Sequence, residues 1–154
     1  MVPFIGTKSL LARSMTRAEY LTYRGWELPA DENPEDLGYL VEYTDGGKGN
    51  HPDHEGYISW SPRDVFEKAY RATALNMTFG HAVELLKAGH KVARAGWNGK
   101  GMWLMLMSGG ETTLPTDETF SALPFIVMKT VQDTVVPWLA SQTDVLAEDW
   151  TVIA

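Results

Sequence analysis

The sequence predicts an α+β fold of two compact units, each a small antiparallel sheet with short helices. Three observations lead there. The strand signals are brief runs of aromatic and β-branched residues separated by Gly, Asn and Asp turns. The helix signals are equally brief, and several start from a hydroxyl cap with a reciprocal partner three residues later. The length, 154 residues, admits one ordinary domain or two small ones, and residues 72–76 read as a short connection.

Residues 1–15 are expected to be an N-terminal extension, too weakly apolar for a signal peptide, with Met15 as an alternative natural start. Residues 16–71 read as a small module. Thr16 caps a helix through Glu19, and Leu28–Asp36 is turn-rich. Gly38-Tyr-Leu-Val-Glu-Tyr and Gly56-Tyr-Ile-Ser-Trp are strands joined by a polar turn that begins at Asp45. Ser61 is expected to cap the next helix, with Pro62 at its first position, Asp64 as reciprocal acid, and Val65, Phe66, Ala69 and Tyr70 on its apolar face.

The second unit, residues 77–154, is better specified. Thr78 caps a helix whose Phe79, Ala82, Val83 and Leu86 follow helical spacing, and Gly89 ends it. Lys91-Val-Ala-Arg is a strand, Gly96 to Gly101 a tight turn, and Met102 to Met107 a strand apolar on both faces. Two covered faces in so small a unit point to a partner subunit. Residues 108–123 are expected to be a long polar loop. Phe125 to Thr130 and Val135 to Leu139 form a hairpin around Gln132 and Asp133, with Pro137 confining the second strand to an edge. Ser141 and Asp144 form another capping box, and Trp150-Thr-Val-Ile closes the sheet.

Composition excludes several classes. A net charge of −7 repels long anionic polymers, so no nucleic-acid polymer is expected as a partner. No apolar run reaches the roughly 20 residues of a membrane span, so no membrane partner is expected either. With no cysteine there is neither a disulfide nor a thiolate metal site. Gly46-Gly-Lys-Gly lacks the spacing of a phosphate-binding loop. His51-Pro-Asp-His-Glu55 carries metal-ligating residue types, yet a solvated turn is the preferred reading and no metal or cofactor is expected. His81 and His90 flank one helix and are given no catalytic role. No nucleophile elbow or paired carboxylates stand out, so the chain is not expected to be an enzyme.

What remains is a binding constellation. Arg94, Trp97, Asn98, Lys100 and Trp103 lie within ten residues. Trp138 is followed by Ser141, Gln142 and Asp144. Indoles stack on bases, cations meet phosphate, and short polar groups hold ribose hydroxyls. The alternative is that Trp97 and Trp138 are core residues and Ser141 only a cap.

The run Met77-Thr-Phe-Gly-His-Ala-Val-Glu-Leu-Leu-Lys-Ala-Gly-His-Lys-Val-Ala-Arg-Ala-Gly-Trp-Asn-Gly-Lys-Gly-Met-Trp-Leu is similar to the opening of a phage protein family. That family is the second Thoeris anti-defence family. Pro124-Phe-Ile-Val-Met-Lys, Val136-Pro-Trp-Leu-Ala-Ser-Gln-Thr-Asp and Ala147-Glu-Asp-Trp150 match it in order. The resemblance implies a non-enzymatic sponge for cyclic ADP-ribose isomers, and in some members for cyclic dinucleotides, in the cytoplasm of the infected bacterial host. It implies a homotetramer of compact α+β units with pockets between subunits. By motif position, Trp97 and Trp138 would sandwich the adenine, and Arg94, Asn98 and Lys100 would face the pyrophosphate. Ser141, Gln142 and Asp144 would serve ribose, Phe79 would give an apolar wall, and Asp149 would be a weaker contributor. The first module departs from one-unit members and is assigned no role. The competing function is a phage structural or host-interaction adaptor that uses the Trp-rich surface as a protein interface; a nucleotide hydrolase or transferase comes third.

Overall fold

In the computed structural model, residues 1–73 and 76–153 are described; Ala74 and Leu75, in the expected connection, and Ala154 lie outside the described residues. The chain divides into two compact units, Met1–Tyr70 and Arg71–Ala154.

The first unit is a three-stranded antiparallel sheet in the order β1-β2-β3, with β1 Leu10–Thr16, β2 Leu37–Tyr43 and β3 Tyr57–Pro62. Helix α1, Arg17–Arg24, follows β1 directly. The Thr16 N–H donates to Glu19 Oε2 (2.7 Å) and the Glu19 N–H to Thr16 Oγ1 (3.2 Å), closing the expected box. Side chains alternate across a strand, so Leu40, Glu42, Ile58 and Trp60 share the face that α1 covers. Tyr20, Leu21, Leu40 and Ile58 form the core there. Val41 is buried on the opposite face, where Tyr39 stacks on Phe66 of helix α2, Arg63–Ala69, at 4.2 Å.

Two expectations for this unit are corrected. The extension over residues 1–15 gives way at Leu10 to a strand paired along its length with β2, from Leu10↔Tyr43 to Thr16↔Leu37. Leu11 to Ser14 are exposed on this edge strand, so no alternation marks it. Ser61 is not the cap of α2 either. It lies in β3 opposite Tyr39, Pro62 takes the cap position without a side-chain bond, and Val65 and Ala69 are exposed. Strand pairing has taken the hydroxyl that the local motif assigned to the helix.

The second unit has a five-stranded antiparallel sheet in the order β10-β4-β5-β8-β9. Its strands are β4 Lys91–Arg94, β5 Trp103–Met107, β8 Phe125–Lys129, β9 Val135–Pro137 and β10 Trp150–Ile153. Helix α3, Phe79–Lys87, packs on β4, β5 and β10. Met77, Ala82, Leu86, Val92, Leu104 and Trp150 make the core beneath it. The helix ends where Gly89 takes a left-handed φ of +88°, letting its N–H reach Leu86 O (3.0 Å) and that of His90 reach Leu85 O (3.0 Å). On β5, Leu104 and Leu106 face the core, whereas Trp103, Met105 and Met107 occupy the other face. Pro137 lies in the edge strand β9.

The polar loop expected over 108–123 is corrected to a hairpin, β6 Gly110–Thr113 with β7 Thr119–Ala122. Its turn closes through Leu114 N–H to Glu118 O (2.8 Å) and Asp117 at φ +66°. Nearly all its residues are exposed, so the ribbon has no apolar face for a pattern to reveal.

Candidate functional site

The site is built where β4 leaves the sheet. Arg94 is the last residue of β4 and pairs with Trp150. The turn beyond it is fastened by Asp149, which accepts the Ala95 N–H on its carbonyl (3.0 Å) and the Gly96 N–H on Oδ2 (2.7 Å). A side chain at 96 would place its Cβ 2.8 Å from that carboxylate, which is why glycine suits the position.

Helix α4, Gln142–Val145, brings the second constellation to the same place. Ser141 caps it, and Asp144 returns the bond to the Ser141 N–H (3.2 Å) and accepts the Ser141 hydroxyl (2.6 Å). The other oxygen of Asp144 accepts from Arg94 Nη1 (2.9 Å) and from the Trp97 indole N–H (3.2 Å). Arg94 Nε donates to Asp149 Oδ1 (2.8 Å), and its Nη1 also lies 3.3 Å from Thr143 O. Segments almost fifty residues apart are thus locked by one carboxylate that is only 8% exposed.

The electrostatics follow from this wiring. Burial alone pushes the Asp144 carboxyl upward, but hydrogen bonds from Ser141, Arg94 and Trp97 outweigh it and bring the pKa down to about 2. Asp149 is lowered by Arg94, against burial, with the Gly96 N–H assisting. Arg94 is raised by its bonds to Asp149 and Asp144. One cation between two carboxylates leaves this cluster with a formal charge of −1.

Above the clamp lies an aromatic cluster. Trp150 is fully buried, and its indole N–H donates to Asp144 O (3.1 Å). Trp97 packs edge-on against it at 5.6 Å and 76°, Trp138 at 6.2 Å and 81°, and Phe79 at 5.5 Å and 43°. Trp97, Trp138 and Phe79 are each half-buried. Each of the first two indoles therefore presents part of its surface to solvent, while Trp150 is the plate on which they rest.

The residues singled out from sequence fall into three groups. Phe79, Trp97 and Trp138 are brought together. Arg94, Ser141 and Asp144 are brought there too, but Arg94 Nε and Nη1, the Ser141 hydroxyl and both Asp144 oxygens are engaged within the cluster rather than open to a pyrophosphate or a ribose. Asn98, Lys100 and Gln142 are exposed and have no side-chain partner among the described residues. The sandwich expected between Trp97 and Trp138 is not the arrangement here. A base between two indoles needs near-parallel planes about 7 Å apart, whereas these centroids are 6.5 Å apart with planes at 61°. From sequence Trp150 is a strand residue and the end of the Ala147-Glu-Asp-Trp motif, with no site role; the structure makes it the buried anchor of the cluster.

Residues 77–153 match the Tad2-like family, described as the Thoeris anti-defense 2-like domain. The chain is 41% identical over 87 residues to "Thoeris anti-defense 2" of Bacillus phage SP01, an alignment that takes in 51% of this chain and 96% of that protein.

Proposed function

Because the chain belongs to the Tad2-like family of Thoeris anti-defense 2 domains, we propose that it captures a cyclic nucleotide immune signal and holds it uncleaved. The signal is a cyclic ADP-ribose isomer or a cyclic dinucleotide, and its removal from the cytoplasm of the infected host blocks Thoeris-type immunity. The observation that carries this reading is the joining of two sequence-distant constellations, around Trp97 and Trp138, through Asp144.

The chemistry supports holding rather than cutting. A carboxylate acts in hydrolysis when it is free to move a proton at the reacting atom. Asp144 and Asp149 are both committed to Arg94. The ligand's base would stack on the outward face of Trp138 or of Trp97 rather than between them, each contact being worth about 1–3 kcal/mol. In this reading Lys100 and Asn98, exposed on the turn that carries Trp97, would meet phosphate, and the exposed Gln142 would meet ribose hydroxyls. Asp144 would act indirectly, by fixing the Trp97 indole.

A homotetramer is part of the proposal. Met107, Phe125 and Val135, on the outer face of β5, β8 and β9, are 42–56% exposed, and Leu139 beyond β9 is 91% exposed. Apolar area of this kind belongs at subunit contacts. The same surface would serve the adaptor reading, in which a host or virion protein covers it.

The test is to incubate the purified protein with a panel of cyclic ADP-ribose isomers and cyclic dinucleotides, remove free ligand, denature, and analyse the released small molecules by mass spectrometry. Intact signal in stoichiometric amount is expected. A cleaved product would replace capture with catalysis. No retained nucleotide, together with a stoichiometric host partner in a pull-down, would replace it with the adaptor.

A further inference from the structure

The His51-Pro-Asp-His-Glu55 run is not accounted for by nucleotide capture, which is proposed for the other unit. Among the described residues no group of three or more His, Asp or Glu side chains is arranged to hold a metal. What the run builds instead is one wall of a cavity of about 350 Å³ in the first unit, lined by Leu11, Arg13, Tyr23, Glu42, Asp53 and His54 among others.

A hydrogen-bonded chain crosses this wall. Glu42 Oε1 accepts the Gly56 N–H (2.9 Å), and its Oε2 lies 2.6 Å from His54 Nδ1. His54 Nε2 lies 3.0 Å from the Tyr23 hydroxyl. Glu42 is held low by the His54 bond first and the Gly56 N–H second, so it is the acceptor. With the Nδ1 proton directed at Glu42, a neutral imidazole has only a lone pair at Nε2, and Tyr23 must donate to it. Every donor in the chain is then used. The Tyr23 oxygen faces a ligand only as an acceptor.

Two charges bound the same cavity without a complement. Arg13 lies 5.0 Å above the Tyr23 ring and has no carboxylate partner among the described residues. Asp53 has only His51 at 3.9 Å, and its side chain is 72% exposed. A purely anionic ligand would meet Glu42 and Asp53; a purely cationic one would meet Arg13. The lining complements a molecule with both signs, with Leu11, Ala12 and Leu40 receiving its apolar part.

We propose that the cavity between β1, β2, α1 and the 51–56 turn is a second small-molecule site, which takes a free α-amino acid. The ligand carboxylate pairs with Arg13, and its ammonium donates to Tyr23 Oη and Asp53. This site is independent of the nucleotide reading and survives its failure.

The experiment is calorimetric titration of the full chain with the 20 common amino acids, and with the N-acetyl and carboxyl-amide derivatives of any that bind. One or a few free amino acids are expected to bind, with at least tenfold loss on blocking either end. Arg13→Gln and Asp53→Asn alter exposed side chains and should each weaken binding tenfold or more, whereas Trp138→Ala should leave it unchanged. The proposal is overturned if no free amino acid binds at millimolar concentration, if a blocked derivative binds equally well, or if binding persists in both first-unit variants.

Discussion

Replacing Asp144 by Asn keeps the shape of the side chain and removes the charge on which four donors converge. The magnitude follows from its pKa. A carboxyl lowered from 3.8 to about 2 is stabilised in the folded state by about 2 kcal/mol, at roughly 1.4 kcal/mol per unit. Asn also turns an NH2 group towards Arg94 or Ser141, leaving one partner poorly satisfied at about 1 kcal/mol. A loss of about 2–3 kcal/mol at pH 7 is expected. The folded pKa is depressed, so the ion's contribution is complete above the unfolded value of 3.8 and disappears as pH falls towards about 2. The gap between wild type and Asp144→Asn should therefore be constant near neutrality, narrow below about pH 4 and level off near pH 2 at about 1 kcal/mol, the pH-independent cost of the misplaced amide. Urea unfolding followed by circular dichroism gives the stabilities, and the Trp97 indole N–H resonance reports the local bond. A variant within 0.5 kcal/mol of wild type at pH 7, or a gap unchanged down to pH 2, would refute the assignment of Asp144 as the clamp.

Trp138→Ala should weaken capture of a cyclic nucleotide by about 10- to 100-fold, the worth of one stacked base, and, because the indole packs on Phe79 and Trp150, should also lower the second unit's stability; calorimetry at a temperature where the variant stays folded checks the affinity. Trp150→Ala removes a fully buried indole and should cost about 3–5 kcal/mol, read as the loss of the second unit's unfolding transition at 37 °C. Gly56→Ala would set a Cβ 2.1 Å from Tyr43 O. Because the close atom is backbone, the β2–β3 pairing must open, and the first unit should melt earlier while nucleotide capture by the second is retained.

The parts of the structure that were legible are those specified within a few residues. The capping boxes at Thr16 and Ser141, the apolar spacing of α3 and the edge position of Pro137 each rest on local rules that the tertiary fold leaves intact. The parts that were not legible depend on distant partners. β1 is a strand because β2 needs a neighbour, and Ser61 is lost to the α2 cap because Tyr39 pairs with it. At the site, residue types were readable but their engagement was not. Nothing near Arg94 in sequence reveals that Asp144 and Asp149, 50 and 55 positions away, take its Nη1 and Nε donors.

That double ion pair changes what the site can do with phosphate. An unpaired arginine beside an indole would be the natural anchor for a pyrophosphate. Here two carboxylates already balance the guanidinium, and breaking the Asp144 pair would leave a nearly buried carboxylate without its cation, a cost of several kcal/mol. Under the proposed function, the charge that meets the ligand must come from groups not yet spent: Lys100 on the exposed turn, or cations brought by a neighbouring subunit. The two possibilities differ in a measurable way. If Lys100 is the main contact, Lys100→Gln weakens capture and flattens its dependence on ionic strength while the oligomer stays intact. If the cations come from across an interface, Lys100→Gln changes little, and dilution that dissociates the oligomer abolishes capture. In either case Arg94 shapes the turn that carries Trp97, so its replacement should affect folding before it affects charge complementarity.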